Sequence, residues 1–165
     1  MQSTAIELLQ RMPVFGAMRA DTLHLLLDHA HELRVPGGAW FFHENDAADS
    51  MFVLQEGRAT VLKGWKGNSL VLGALNAGDC FGEMALMDLC PRSASVRADT
   101  DCRALEITAN EMLLLFEHDV EQFALIQMNL GREVCRRLRA TDELLFRARM
   151  GDTGAVASAP PYSVN

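Results

Sequence analysis

The sequence predicts an α+β domain: an antiparallel β-roll of about eight strands, jelly-roll-like, flanked by N-terminal helices and a long C-terminal helix. Helical apolar spacing fills residues 1–31. Between 32 and 107, short β-type runs alternate with turns rich in Gly, Asn and Asp. From 108 to 149 the apolar positions return to the helical period. These three stretches form one domain over 1–149, and residues 150–165, small and proline-bearing, read as a disordered tail.

Each element has its own signal. Ser3 or Thr4 can cap a first helix whose apolar positions Ile6, Leu8, Leu9 and Met12 precede the stop at Pro13. Asp21 opens a second, with Leu23, Leu26, Leu27 and Ala30 at helical spacing. The strand runs are "LRV", "AWFFH", "MFVLQ", "ATVLK", "SLVLGAL", a short one ending at Gly82, "ASVRA" and "CRALEIT". Trp40 and Trp65, in or beside these runs, are expected to pack. Thr108 with Glu111 has the spacing of a capping box. Phe123, Leu130, Val134, Leu138, Thr141 and Leu145, with Gln127 in the gap, mark a stripe suited to lying against another helix.

Composition narrows the function. In 165 residues with 49% apolar content there is one core to bury, and a net charge of −7 argues against a nucleic-acid-binding face. Arginines concentrate in 132–149, leaving the remainder more acidic still. Cys80, Cys90, Cys102 and Cys135 have neither disulfide nor zinc spacing and read as buried or inert thiols in a reducing compartment. His24, His29, His31, His43 and His118 fall on separate elements, so no metal site is expected. The N-terminus does not read as a signal peptide, and no apolar run approaches the ~20 residues of a membrane span, so a cytoplasmic protein with no membrane contact is expected. No nucleophile motif, catalytic carboxylate pair or Walker sequence appears, and an enzyme is not expected.

One stretch carries charge outside any amphipathic pattern: "CFGEMALMDLCPRSASVRA", residues 80–98. Gly82 lets backbone approach a ligand closely. The turn from Glu83 to Asp88 offers backbone N–H groups to an anion. Arg92, after Pro91, can fork onto two oxygens of a phosphate or carboxylate, while Glu83 can only accept, as a hydroxyl requires. Anion donors beside a hydroxyl acceptor describe a phosphorylated sugar. On spacing alone, an ion pair between Glu83 and Arg92 that merely holds the loop is an equal alternative.

The same stretch closely resembles the phosphate-binding cassette of cyclic nucleotide-binding domains, and "MPVFGAMRADTLHLLLDHAHELRVPGGAWFFHENDAADSMFVLQEGRATVL" is similar to the segment that leads into it. The likeness covers roughly residues 5 to 147. Glu44-Asn45-Asp46 stands where the family has Glu-Gly-Asp, and Asn tolerates the left-handed conformation a Gly would take. The resemblance implies that Glu83 accepts the ribose 2′-hydroxyl. Arg92 pairs with the exocyclic phosphate oxygens, helped by Ser93 and by backbone around Met84 and Ala85; Phe81, Gly82 and Ala94 complete the cassette. "CRRLRATDELL" resembles the dimer helix of catabolite-activator-type proteins, which implies that Arg137 and Thr141 reach the ligand, Thr141 toward adenine. Ser93 stands where guanine-preferring members carry Thr, which implies cAMP over cGMP.

A stand-alone sensor is therefore expected, with cAMP preferred over cGMP as ligand and no metal. The helix over 119–147 suits an isologous homodimer and relays ligand state to a downstream protein of unknown identity. The transcription factors it resembles carry a helix-turn-helix domain after this helix, and 150–165 is too short for one, so direct DNA binding is not expected. Three alternatives stay open: a sensor fragment of a larger enzyme or transcription regulator, a scaffold of this fold that binds no nucleotide, or a pocket that holds some other anionic ligand.

Overall fold

The computed structural model describes residues 2–151. Helix α1 (Gln2–Arg11) leads through a 3-10 turn, Pro13–Phe15, to α2 (Ala20–His29). Strands β1 (His31–Val35), β2 (Trp40–Phe42), β3 (Ser50–Glu56), β4 (Arg58–Trp65), β5 (Asn68–Asn76) and β6 (Cys80–Phe81) follow. The short helix α3 (Met84–Asp88) precedes β7 (Ser95–Ala98) and β8 (Cys102–Thr108), and α4 (Ala109–His118) and α5 (Val120–Arg149) end the fold. The strands form two antiparallel four-stranded sheets, ordered β1-β8-β3-β6 and β2-β7-β4-β5. The β-roll with flanking helices is as the sequence predicts. Of the tail expected over 150–165, only Met150 and Gly151 are described; the rest lies outside the described residues.

Strand alternation divides the core in two. Side chains on a strand point to opposite faces in turn, so in β3 Met51 and Val53 join the helices while Phe52 and Leu54 face the second sheet. In β8, Leu105 and Ile107 go to the helices and Cys102 and Ala104 to the inter-sheet core. Full burial of a side chain such as Phe15, Leu115 or Leu130 stabilises the fold by about 1.5–3 kcal/mol.

Helix ends follow the sequence closely at the C-terminal side. The Thr108 hydroxyl accepts from Asn110 N–H at 3.2 Å and the Glu111 carboxylate from Thr108 N–H at 2.7 Å, completing the capping box. Asp119 then caps α5, accepting from Glu121 and Gln122 N–H at 3.1 Å each. At the N-terminal side α1 begins at Gln2, so Ser3 and Thr4 fall inside it, and Arg19 occupies the cap position of α2, one residue before its first turn with Asp21.

The expected helical stripe divides along α5. Leu130 is buried in the chain's own core, together with Ile126, while Leu138 and Leu145 are exposed. The first half of the helix is tied to the N-terminal segment: Asn129 Nδ2 donates to the carbonyls of Val14 (3.2 Å) and Gly16 (3.0 Å), and Arg19 N–H donates to Gln122 Oε1 at 2.8 Å. Trp65 does not pack as expected; it is 69% exposed at the end of β4, because the hairpin carries it past the body of the roll. All five histidines are exposed.

Cys80 and Cys102 are buried and Cys90 and Cys135 exposed, all four as free thiols. Burial pushes the Cys80 thiol up to about 12, so it carries almost no thiolate near neutral pH. Intact-mass analysis after iodoacetamide at pH 8 is expected to show fast labelling at Cys90 and Cys135, and labelling of Cys80 only after denaturation.

Candidate functional site

The site is built where β6 ends. Phe81 pairs with Phe52 of β3, and Gly82 turns the chain at φ 76°, a left-handed conformation. A Cβ on Gly82 would lie 2.6 Å from Arg92 Nη1, so this position needs glycine for space as well as for backbone. Glu83 then starts α3, and Leu89, also left-handed at φ 57°, ends it. Beyond Pro91, Arg92 N–H donates to Asp46 O (2.9 Å) and Asn45 N–H donates to Arg92 O (2.8 Å), fixing the chain before β7. Asn45 takes the left-handed turn expected of it, at φ 70°.

Arg92 is 6% exposed. Its Nη1 donates to the carbonyls of Ser50 (2.6 Å) and Gly82 (3.0 Å), and its Nη2 to the Ser50 hydroxyl (3.0 Å). The guanidinium lies over the Phe42 ring at 4.2 Å, and its Nε is buried without a hydrogen-bond partner. Burial holds its pKa below the usual guanidinium value, against the opposing pull of Glu106, Asp49, Asp46 and Glu83. This is a desolvated cation whose bonds run to neutral oxygens, an arrangement that an anion would complete.

The ion pair left open between Glu83 and Arg92 does not form. Glu83, 2% exposed, instead accepts from Arg137 Nη1 of α5 at 2.8 Å. Arg137 Nη2 donates to Cys80 O at 2.7 Å, and its Nε lies 3.0 Å from the buried Glu133 carboxylate. Glu133 also pairs with Arg136. Arg137 is thus no solvated residue: it joins the roll to the long helix.

Phe81, Gly82, Glu83, Met84, Ala85, Arg92, Ser93, Ala94 and Arg137 line one pocket, with Phe42, Val61, Pro91 and Val96 as its remaining walls. About 450 Å³ of empty space lies within it, open part included. Ala85 N–H, expected to be free for an anion, donates to Gly82 O at 3.3 Å. Thr141 lies outside the pocket, one helical turn beyond Arg137, exposed, with its hydroxyl donating to Arg137 O at 2.9 Å. Ser50 and Phe42, which hold the Arg92 guanidinium, were not foreseen. Ser50 is a lone polar residue heading an apolar strand, and no local pattern marks it. Glu133 did have a signal, standing one helical turn before Arg137 on the same face. Among the described residues no group of three or more His, Cys, Asp or Glu is placed to hold a metal ion, and no helix is long and apolar enough to cross a membrane.

The cyclic nucleotide-binding domain model matches residues 32–119, which span the roll and α4. The chain belongs to the cyclic nucleotide-binding domain family. This cyclic nucleotide-binding domain is 32% identical over 148 residues to the cAMP-activated global transcriptional regulator CRP of Salmonella typhimurium, covering 87% of this chain and 69% of that one. The crystal structure of Thermus thermophilus Catabolite Activator Protein superposes with a TM-score of 0.73 at 27% identity; the match covers 83% of this chain and 63% of that one. A cyclic nucleotide-binding domain from Methylobacillus flagellatus shares the fold at a TM-score of 0.77 and 20% identity, with 86% and 81% covered.

Proposed function

We propose that the domain binds a cyclic nucleotide in this pocket, cAMP in preference to cGMP, and relays its ligand state through α5 to a partner protein. The observation that carries the reading is Arg92: a buried guanidinium facing neutral oxygens, with Nε unsatisfied, in a pocket that also holds the Glu83 carboxylate. Arg92 takes the cyclic phosphate with the Ser93 hydroxyl and nearby backbone of Ala94. Gly82 admits the ligand, Glu83 accepts the ribose 2′-hydroxyl, and the Met84–Ala85 turn and Phe81 line the sugar. The preference for cAMP rests on Ser93 and on kinship with a regulator named as cAMP-activated.

The relay lies in the Glu83–Arg137 pair. A ribose hydroxyl on Glu83 changes the partner set of Arg137, which also contacts Cys80 O and Glu133. A ligand moves the helix only by the difference in its affinity for the two arrangements, and contact with both roll and helix supplies that difference. Thr141 reaches the base once α5 shifts or a second chain presents it. Leu138, Leu145 and Phe146, exposed on the far half of α5, form the surface that a second copy would cover. A cytoplasmic location and no catalytic step belong to the same reading.

Isothermal titration calorimetry of the intact chain with cAMP and with cGMP tests it. Micromolar or tighter binding is expected, with cAMP the tighter ligand. No heat from either nucleotide on folded protein would overturn the reading and leave a scaffold whose pocket Arg137 occupies from within.

A further inference from the structure

The β4–β7 ladder stops at the pair Leu62–Ser95, just short of the anion-binding segment 92–94. Past that point β4 no longer supplies backbone to β7, and the Ser93 carbonyl needs another donor. Lys63, the next residue of β4, provides it: its ammonium donates to Ser93 O at 2.6 Å and to Glu44 Oε1 at 2.8 Å. The second carboxylate oxygen of Glu44 accepts from Gly64 N–H at 2.9 Å, and Glu44 N–H donates to the Ser95 hydroxyl at 2.8 Å. The two residues after Glu44 are those that bracket Arg92 through backbone bonds. Three separate pieces of chain therefore meet at one ammonium–carboxylate pair: the β2–β3 loop, the β4–β5 hairpin and the segment that carries Arg92 and Ser93.

We propose that Lys63 is a positioning residue of the anion site, acting with Glu44 to hold the Arg92–Ser93 segment in its binding geometry where the strand ladder ends. Lys63 does not line the pocket and touches the ligand through nothing but the peptide it fixes. Its side chain is 49% exposed, so the fold does not depend on it for core. The Lys63 ammonium, foremost, holds the Glu44 carboxyl below the usual carboxylate range. An ordered segment binds more tightly because the cost of ordering it does not fall on the ligand. The proposal deepens the nucleotide-binding reading and rests on it.

The test compares the parent chain with Lys63→Met, Lys63→Arg and Glu44→Gln. Titration with cAMP is expected to give roughly tenfold weaker binding for Lys63→Met, the loss that corresponds to freeing one held side chain, with partial recovery in Lys63→Arg. In the ligand-free protein, hydrogen exchange at the Asn45 and Arg92 amides is expected to speed up in Lys63→Met and in Glu44→Gln, with the thermal midpoint nearly unchanged. Parent-like affinity and parent-like exchange in Lys63→Met would overturn the proposal. Faster exchange with parent-like affinity would also overturn it, since the pair would then hold the loop without serving the site. If the parent itself binds neither nucleotide, the binding reading fails on that result alone. The proposal as a statement about binding then falls too, while the exchange data still report whether the pair orders the segment.

Discussion

Arg92→Ala is expected to weaken cAMP binding by at least about 100-fold, the loss that follows from truncating one partner of a buried, charge-assisted contact. The same substitution should leave the ligand-free protein nearly as stable as the parent. Arg92 there is a buried cation whose partners are carbonyls and a hydroxyl, and removing such a charge relieves its desolvation cost while it loses bonds of similar worth. Calorimetric titration with differential scanning calorimetry on the same sample separates the two effects. A large fall in the thermal midpoint, with cAMP binding retained, would contradict this account of the residue.

Gly82→Ala is expected to fail in a different way. Its φ of 76° is strained for any residue with a Cβ, and that Cβ would meet Arg92 Nη1 at 2.6 Å and Ser50 O at 3.4 Å. Stability should fall by about 1–3 kcal/mol, and affinity for cAMP by about 100-fold, as the guanidinium gives way from where its anion would sit. Gly78 provides the control. It too is left-handed, at φ 96°, but a Cβ there meets nothing within 4 Å. Gly78→Ala should show a comparable loss of stability with affinity kept. Equal affinity losses in the two variants would mean that backbone strain, and not the close approach to Arg92, governs the site.

How far the sequence revealed these features depended on how local each one is. The strands were legible because alternation and turn residues are written within a few positions, and the Thr108–Glu111 cap because both partners lie in one helical turn. The cassette was legible as a continuous stretch. Ser50 and Phe42 were not, since each meets Arg92 only after the chain has folded back across the roll. The partner of Glu83 was left open for the same reason: spacing weighs Arg92, nine residues on, and gives no hint of Arg137 on α5. The stripe on α5 showed that one face is apolar, and could not show that its first half is consumed inside the chain while its second half is not. Trp65 was misplaced because an aromatic at the end of a strand run looks alike whether the strand enters the core or leaves it.

Helix α5 is held at its near end by Asn129 and Gln122, gripped at Arg137, and exposed almost throughout beyond that point. The span from Arg137 to Arg149 is about 18 Å at 1.5 Å per residue. In the proposed relay it would act as a lever with its fulcrum in the pocket wall: a tilt of about 10° at the fulcrum would carry the tip by about 3 Å at that arm length. A displacement at Arg137 too small to disturb the roll would thus become, at the far end, a movement large enough to make or break a side-chain contact. Under the proposed relay, the geometry would turn a short-range change of hydrogen-bond partner into mechanical gain.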